Sequence, residues 1–168
     1  LGQNYDVAAT VEMMLRSNLF FSKTAYRRRI KRPVEFALGV AWGLNRRIAT
    51  LPLNAALETM GERLYDPPTP AGWAGGPWWI NAATMLYRAR LAHTLLDADG
   101  PYGDRLDPAA VAQTHEHGSA RDAAEWVLDV YLQNDLEPVV RRQLLSDIPT
   151  GSTRDAAEEL RKLTLQVV

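Results

Sequence analysis

The sequence contains no cysteine, which excludes disulfide bonds and thiolate metal sites and removes the usual clue to a reducing or oxidising compartment. Long apolar runs are also missing: no segment approaches the roughly eighteen consecutive apolar residues that a membrane-spanning helix needs. The sequence has no Gly-x-Ser-x-Gly nucleophile motif and no Gly-Lys-Ser/Thr phosphate-binding motif. We therefore expect no membrane span, and no familiar nucleophile or nucleotide site.

Overall charge is nearly absent, at −1, but its distribution is uneven. Residues 1–95 carry twelve Lys and Arg against six Asp and Glu, and residues 96–168 carry seven against fourteen. The strongest basic run, RRRIKR at residues 27–32, has the composition of a contact for phosphates, an anionic polymer or an acidic partner. A solvated loop is the favoured interpretation, and because the whole chain is not basic we expect no nucleic-acid partner.

The hydrophobic pattern predicts an all-α fold. The chain has 168 residues, 46% of them hydrophobic, which is enough for one domain with a sizeable core. Apolar residues recur at helical spacing, and no segment alternates as a strand does. We predict an irregular multi-helix bundle of about six to eight helices, forming a single helical domain over residues 1–168. Because the first residue is Leu1 rather than Met, we expect a piece of a longer protein.

Several residues predict where the helices begin and end. Capping residues or helix-starting prolines stand at Asp6, Pro33, Asn81, Asp107–Pro108, Ser119 and Ser152. Two of the predicted helices carry apolar stripes that we assign to the core: Val34, Leu38, Ala41 and Trp42 on one, and Ala82, Leu86, Ala89, His93 and Leu96 on the other. Trp126, on a third stripe, is also predicted to be in the core.

Two segments near the C-terminus echo each other, SARDAAEWV from Ser119 and STRDAAEEL from Ser152. In both, the serine is followed three residues later by an acid, as in a capping box. Two copies are too few for a repeat array. We interpret both segments as helix starts.

The least ordinary stretch is DPPTPAGWAGGPWWIN, residues 66–81, with four prolines, three glycines and three tryptophans. Such a composition favours one rigid path rather than a mobile lid. One interpretation is a structural clasp, with Trp73 and Trp79 buried against helices. The other is a binding platform for a sugar ring or peptide, with candidate ligand residues Trp73, Trp78, Trp79, Gly75, Gly76 and Asp66. We favour the clasp, and we predict Trp78 to be the more exposed tryptophan and the best candidate ligand contact.

Other candidate sites carry weaker signals. His115 and His117 resemble metal ligands, but residues two apart on a helix do not face one site, so we expect no metal; we expect no cofactor either. Glu58, Glu62 and Asp66 flank the aromatic loop, and paired carboxylates serve glycoside hydrolysis.

By residue 81 the order of motifs resembles a known family. RIKRPVEFALGVAWGL and MGERLYDPPTPAGWAGGPWWINAATMLYRARLAHTLL are similar to the C-terminal part of a large bacterial family called domain of unknown function eighteen hundred, which is plentiful in planctomycetes. The resemblance covers most of residues 10–96, residues 97–118 match no pattern of the family, and the segment from Ser152 is similar to its last helix. The matching residues are Lys31, Pro33, Val34, Glu35, Met60, Gly61, Leu64, Pro67, Pro68, Gly72, Trp73, Gly75, Gly76, Trp79, Ile80 and Asn81.

The resemblance implies the C-terminal portion of a longer, exported protein, periplasmic or extracellular, and it implies no reaction. Our leading expectation is a non-catalytic binding or assembly module whose partner is the N-terminal part of its own parent chain, a carbohydrate or another protein. The alternative is part of an enzyme acting on a polymer such as polysaccharide, with catalytic groups partly in the N-terminal portion. An enzyme should show a cleft with converging carboxylates or histidines, and an interaction module an exposed apolar patch.

Overall fold

A computed structural model describes residues 6–44 and 47–168, with only the backbone described at residues 103 and 104. The chain divides into two compact units, the first ending at Ile30 and the second spanning Lys31–Val168. The described ranges contain eight α-helices, two short 3₁₀ turns and no strand longer than an isolated bridge. The predicted all-α class is therefore confirmed. The expectation of a single domain stays a prediction.

The first unit contains one helix, α1 (Val7–Leu15), followed by consecutive turns as far as Arg27. Asp6 is the N-cap, as predicted, and its carboxylate accepts from the backbone N–H groups of Ala8 at 2.9 Å and Ala9 at 3.2 Å. None of the described residues of this unit is buried. Local hydrogen bonds, rather than a core, therefore hold the unit's shape.

The second unit contains the other seven helices. They are α2 (Pro33–Gly43), α3 (Thr50–Thr59), α4 (Ala82–Leu96), α5 (Pro108–Thr114), α6 (Ala120–Leu132), α7 (Pro138–Leu144) and α8 (Ala157–Val167). The predicted starts at Pro33, Asn81, Asp107–Pro108 and Ser119 are confirmed. Each of Asn81, Asp107 and Ser119 accepts a backbone N–H from the first turn of its helix, which satisfies donors that a helix start leaves free.

The core of this unit has two clusters. The first joins α2, α3 and α4 through large side chains such as Phe36, Leu57 and Leu95. The second joins α5, α6 and α8 and contains many small side chains beside its leucines; five of its alanines have no exposed surface: Ala112, Ala120, Ala123, Ala124 and Ala156. Trp126 and Tyr131 of α6 pack against both clusters, so α6 links them. Trp126 is half-buried between the clusters rather than fully enclosed.

The two echoing segments contact each other directly. Ser119 and Ser152 form an antiparallel bridge, with the Ala120 N–H donating to the Gly151 carbonyl at 3.0 Å and the Thr153 N–H donating to the Gly118 carbonyl at 3.1 Å. The prediction that Ser152 caps a helix is wrong, because residues 152–156 form a turn and α8 begins at Ala157. Within this turn the Ser152 hydroxyl accepts from the Asp155 N–H and the Ser152 carbonyl accepts from the Ala156 N–H, both at 3.3 Å.

Two predictions about buried faces are wrong. Trp42 is 72% exposed, because the buried face of α2 is centred on Phe36, Ala37, Val40 and Ala41. Of the assigned stripe, Ala41 is buried and Val34 and Leu38 are partly buried. His93 is exposed together with most of its assigned stripe, because α4 buries Arg88, Leu91, Ala92, Leu95 and Leu96. Both helices are apolar on two faces, so the helical spacing of apolar residues does not identify which face is buried.

Candidate functional site

Glu62 sits at a tight turn that ends α3. The Gly61 N–H donates to the Glu58 carbonyl and the Glu62 N–H donates to the Leu57 carbonyl, both at 2.9 Å. This pair of bonds defines a Schellman turn, which needs a positive φ at the glycine. Gly61 has φ 85°, so this glycine ends the helix. The turn directs the Glu62 side chain inward, where none of its surface is exposed.

The buried Glu62 carboxylate holds together segments that are far apart in the sequence. It accepts from the Arg32 guanidinium, and its other oxygen accepts from the Val34 N–H at 2.9 Å. That N–H is one of the free donors at the start of α2, where a negative charge is favoured. The Arg32 guanidinium also lies over the Trp73 ring, 4.9 Å from its centroid. We call Arg32, Val34, Glu62 and Trp73 the Glu62 junction.

Arg88 is a second buried cation beside this junction. It is 7% exposed, donates to the Lys31 carbonyl at 2.8 Å and lies over the Phe36 ring. Burial lowers the pKa of Arg88 below its ordinary value because the charged form is poorly solvated, and the Glu62 carboxylate partly opposes this shift. Sequence reasoning missed Arg88. The only sequence pattern that indicates burial of Arg88 is its helical spacing from Leu91 and Leu95, which are buried.

The proline-glycine-tryptophan loop follows a defined path. Gly72 and Gly76 have φ values of 95° and 62°, which favour glycine, whereas Gly75 is extended and a Cβ there would meet no other atom within 4 Å. The loop ends in a 3₁₀ turn, Gly76–Trp79, and in the Asn81 cap. The Asn81 side chain accepts from the Thr84 N–H, while the Asn81 N–H donates to the Thr84 hydroxyl, both at 3.0 Å. Neither backbone angle nor packing within the chain accounts for glycine at position 75.

The three loop tryptophans have different surroundings. Trp79 is 6% exposed, Trp73 is half-buried and Trp78 is 75% exposed. The burial of Trp79 and the exposure of Trp78 confirm the predicted order, and the clasp is formed by Trp79 together with the Trp73–Arg32 contact. Trp78 lies over a shallow recess of about 330 Å³ that it shares with Pro77, Ile80 and Asn81. A ligand role for these residues stays a prediction.

The three acidic side chains around the loop pair with two different arginines. Asp66 and Glu58 are both exposed, and both bind the Arg63 guanidinium, at 3.0 and 3.2 Å. Glu62 is buried against Arg32 instead. The single Arg63 cation therefore pairs with two carboxylates, Glu58 and Asp66, and Glu62 is withheld from solvent.

The three histidines do not converge on one site either. His115 and His117 lie against the Trp126 ring, with centroids 5.5 and 5.8 Å away. His93 is exposed on α4, far along the sequence from both. In the part of the chain that the structure describes, no three His, Asp or Glu side chains are grouped as a metal site.

The exposed side of α4 is apolar for most of its length. Met85 and Leu86 are 49% and 52% exposed, and Ala82, Ala89 and His93 are exposed on the same side. We call these five residues the outer face of α4. Trp78 and Ile80, directly before the helix, are exposed as well. The stripe that the sequence assigned to the core is thus an apolar surface next to the aromatic loop.

The KRPVE, MGE and Gly-Trp segments, which carry the family resemblance, converge at the Glu62 junction. The model of the family described as "Protein of unknown function (DUF1800)" matches residues 1–167. The chain belongs to this family. The match also runs through residues 97–118, where the sequence analysis found no family pattern. No curated protein and no solved structure matches the chain.

A search of the helices in the described ranges finds none that is long and apolar enough to cross a membrane.

Proposed function

We propose that this chain is a non-catalytic binding or assembly module, the C-terminal portion of a longer exported bacterial protein of the type plentiful in planctomycetes. Trp78, Ile80 and the outer face of α4 form its contact surface. The apolar character of this exposed surface carries the proposal. The resemblance described above supports the longer parent and the periplasmic or extracellular location.

The contact surface has the chemistry of a protein interface. Fully burying a Leu, Ile or Met side chain is worth about 1.5–3 kcal/mol. Ile80, Met85 and Leu86 are about half exposed, so each retains roughly 1 kcal/mol to gain from a partner. Trp78 adds a large planar group of the kind enriched at binding hot spots. The two exposed alanines of this surface, Ala82 and Ala89, suit another helix better than a sugar, because small side chains allow close helix packing.

The first partner we propose is the N-terminal part of the parent chain, with another exported protein second and carbohydrate at Trp78 third. The loop supports a contact role for Trp78. Gly72 and Gly76 fix its path and Trp79 anchors it, so Trp78 is presented on a rigid backbone and loses little entropy on binding. The open space around Gly75 leaves its backbone accessible to close approach.

Photo-cross-linking in the native cells tests the proposal. A photoreactive phenylalanine analogue replaces Trp78 or Leu86 in the full-length parent, and Gln113, an exposed residue of α5, serves as the matched control position. We expect one discrete adduct, or one discrete intramolecular cross-link, at positions 78 and 86 and none at position 113. Equal labelling at all three positions would remove the support for a specific contact surface.

The enzyme alternative stays a prediction and has its own assay. If the chain takes part in polysaccharide cleavage through the carboxylates near the loop, Glu58→Gln and Asp66→Asn should each abolish glycan hydrolysis by the full-length parent. Loss of glycan hydrolysis in these variants would support the enzyme alternative and contradict the assembly proposal.

A further inference from the structure

The first unit of the chain combines exposed apolar side chains with exposed cations. We propose that residues 7–29 bind the surface of an anionic lipid bilayer, lying in its interface without crossing it. This inference uses different residues from the contact surface on α4, and it does not depend on the proposed function.

Nearly all the large apolar side chains of this unit face solvent. On α1, Val7 is 73% exposed, and Met13 and Met14 are each 62% exposed. In the turns that follow, Leu19 and Phe21 are 70% and 75% exposed, and the rings of Phe20 and Phe21 pack edge to face at 5.1 Å. Amphipathic segments that lie at a bilayer surface place such residues into the boundary between headgroups and acyl chains.

Beyond Glu12, which pairs with Arg16 at 3.1 Å, the charge of this segment has one sign. No Asp or Glu stands between Glu12 and Glu35. Within the first unit this stretch contains Arg16, Lys23 and the run Arg27–Arg28–Arg29, all five of which are exposed. Arg28 donates to the Thr24 carbonyl at 3.2 Å and Arg27 lies over the Tyr26 ring, so local contacts hold the basic run on the same short stretch of turns as the aromatic residues.

This combination favours a lipid surface over a protein partner. Basic residues near an anionic bilayer contribute additively, while Phe and Leu enter the interface beside them. A folded protein partner would have to offer a matching acidic rim and apolar pockets for consecutive side chains. A bilayer offers anionic headgroups and an apolar layer at every point, and it needs no specific geometry from this short unit.

Vesicle co-sedimentation of the 168-residue chain provides the test. The probes are vesicles of phosphatidylcholine alone and vesicles of phosphatidylcholine mixed with phosphatidylglycerol. We expect binding to the mixed vesicles only, weakening as salt screens the headgroups. R27A/R28A/R29A should lower the partition coefficient about a hundredfold, from three lost cations. F20S/F21S should lower it by about tenfold or more, because two apolar groups no longer enter the interface.

A matched control holds the net charge change constant. R90A/R154A/K162A removes three exposed cations from the second unit and should leave vesicle binding within about twofold of the unsubstituted chain, while far-ultraviolet circular dichroism checks that every variant is folded. Absence of vesicle binding would overturn the proposal, and so would equal losses in the two triple variants. Binding to soluble polyglutamate without binding to vesicles would overturn it too and assign this surface to an acidic protein.

Discussion

Glu62→Gln is the most informative single change in the second unit. The substitution keeps the size of the side chain and retains a carbonyl oxygen for the Val34 N–H, but it removes the negative charge. Arg32 then loses its carboxylate partner, and Arg88, 7% exposed, loses the nearest charge that favours its ionised form. We expect a large loss of stability from a change of one atom.

The magnitude follows from the burial of each group. Removing one member of a buried ion pair costs about 3–5 kcal/mol. The Arg32 side chain is 39% exposed, so water recovers part of its solvation and the cost is reduced. We therefore expect Glu62→Gln to lower the free energy of unfolding by about 2–4 kcal/mol. With a urea m-value of about 2 kcal/mol/M, the unfolding midpoint should fall by roughly 1–2 M.

Urea unfolding followed by far-ultraviolet circular dichroism measures this shift. Glu58→Gln is the matched control, because Glu58 lies four residues away in an exposed pair with Arg63, and its loss should cost less than about 1 kcal/mol. A double-mutant cycle with Arg32→Met should show a coupling energy of about 1–3 kcal/mol. Equal small shifts for Glu62→Gln and Glu58→Gln, or strict additivity in the cycle, would refute the role given to the junction.

Three further predictions concern the second unit. Gly43→Ala places a Cβ 2.7 Å from the Tyr131 ring and should cost about 1–3 kcal/mol in urea unfolding; Gly39→Ala on the same helix meets only a lysine tip at 3.9 Å and should be neutral or stabilising. Trp79→Ala should cost about 3–5 kcal/mol and Trp78→Ala below about 1 kcal/mol, so equal costs would contradict the assigned burial. Burial raises the pKa of Tyr131 above its ordinary 10.0, so native protein holds this proton longer than unfolded protein does. The stabilisation from this pKa shift is complete below pH 10.0 and declines as pH rises above it. In unfolding experiments at increasing alkaline pH, Tyr131→Phe should lose less stability than the unsubstituted protein. Parallel curves of unfolding free energy against pH for the two proteins would contradict the assignment.

The sequence predicted the helix boundaries best where a local contact determines them. Asp6, Asn81 and Ser119 act as N-caps because each needs only a neighbouring backbone N–H. Gly61 ends its helix because a positive φ there is a local requirement. Ser152 has the same local signal as Ser119 and its hydroxyl accepts from the Asp155 N–H at 3.3 Å, but the turn that it caps does not continue as a helix, and α8 begins only at Ala157.

Buried faces were harder to predict, because burial depends on what packs against a helix. In α4 the stripe containing Leu86 and Ala89 is as apolar as the one containing Leu91 and Leu95. The second is buried, along with Arg88, whose charge would ordinarily argue for exposure. The Lys31 carbonyl, the Glu62 carboxylate and the Phe36 ring, all distant in sequence, stabilise Arg88 inside. The Glu62 junction could not be predicted from the sequence for the same reason.

The central claim is that Trp78 and the outer face of α4 form a contact surface while Trp79 belongs to the core. Hydroxyl-radical footprinting, read by mass spectrometry, tests it most directly by comparing the purified chain with the parent protein in its native cells. The account predicts that Trp78 and Met85 label strongly in the purified chain and are protected in the cells, while Trp79 stays unlabelled in both. Trp78 and Met85 labelling equally in both samples, or Trp79 labelling as readily as Trp78 in the purified chain, would contradict it.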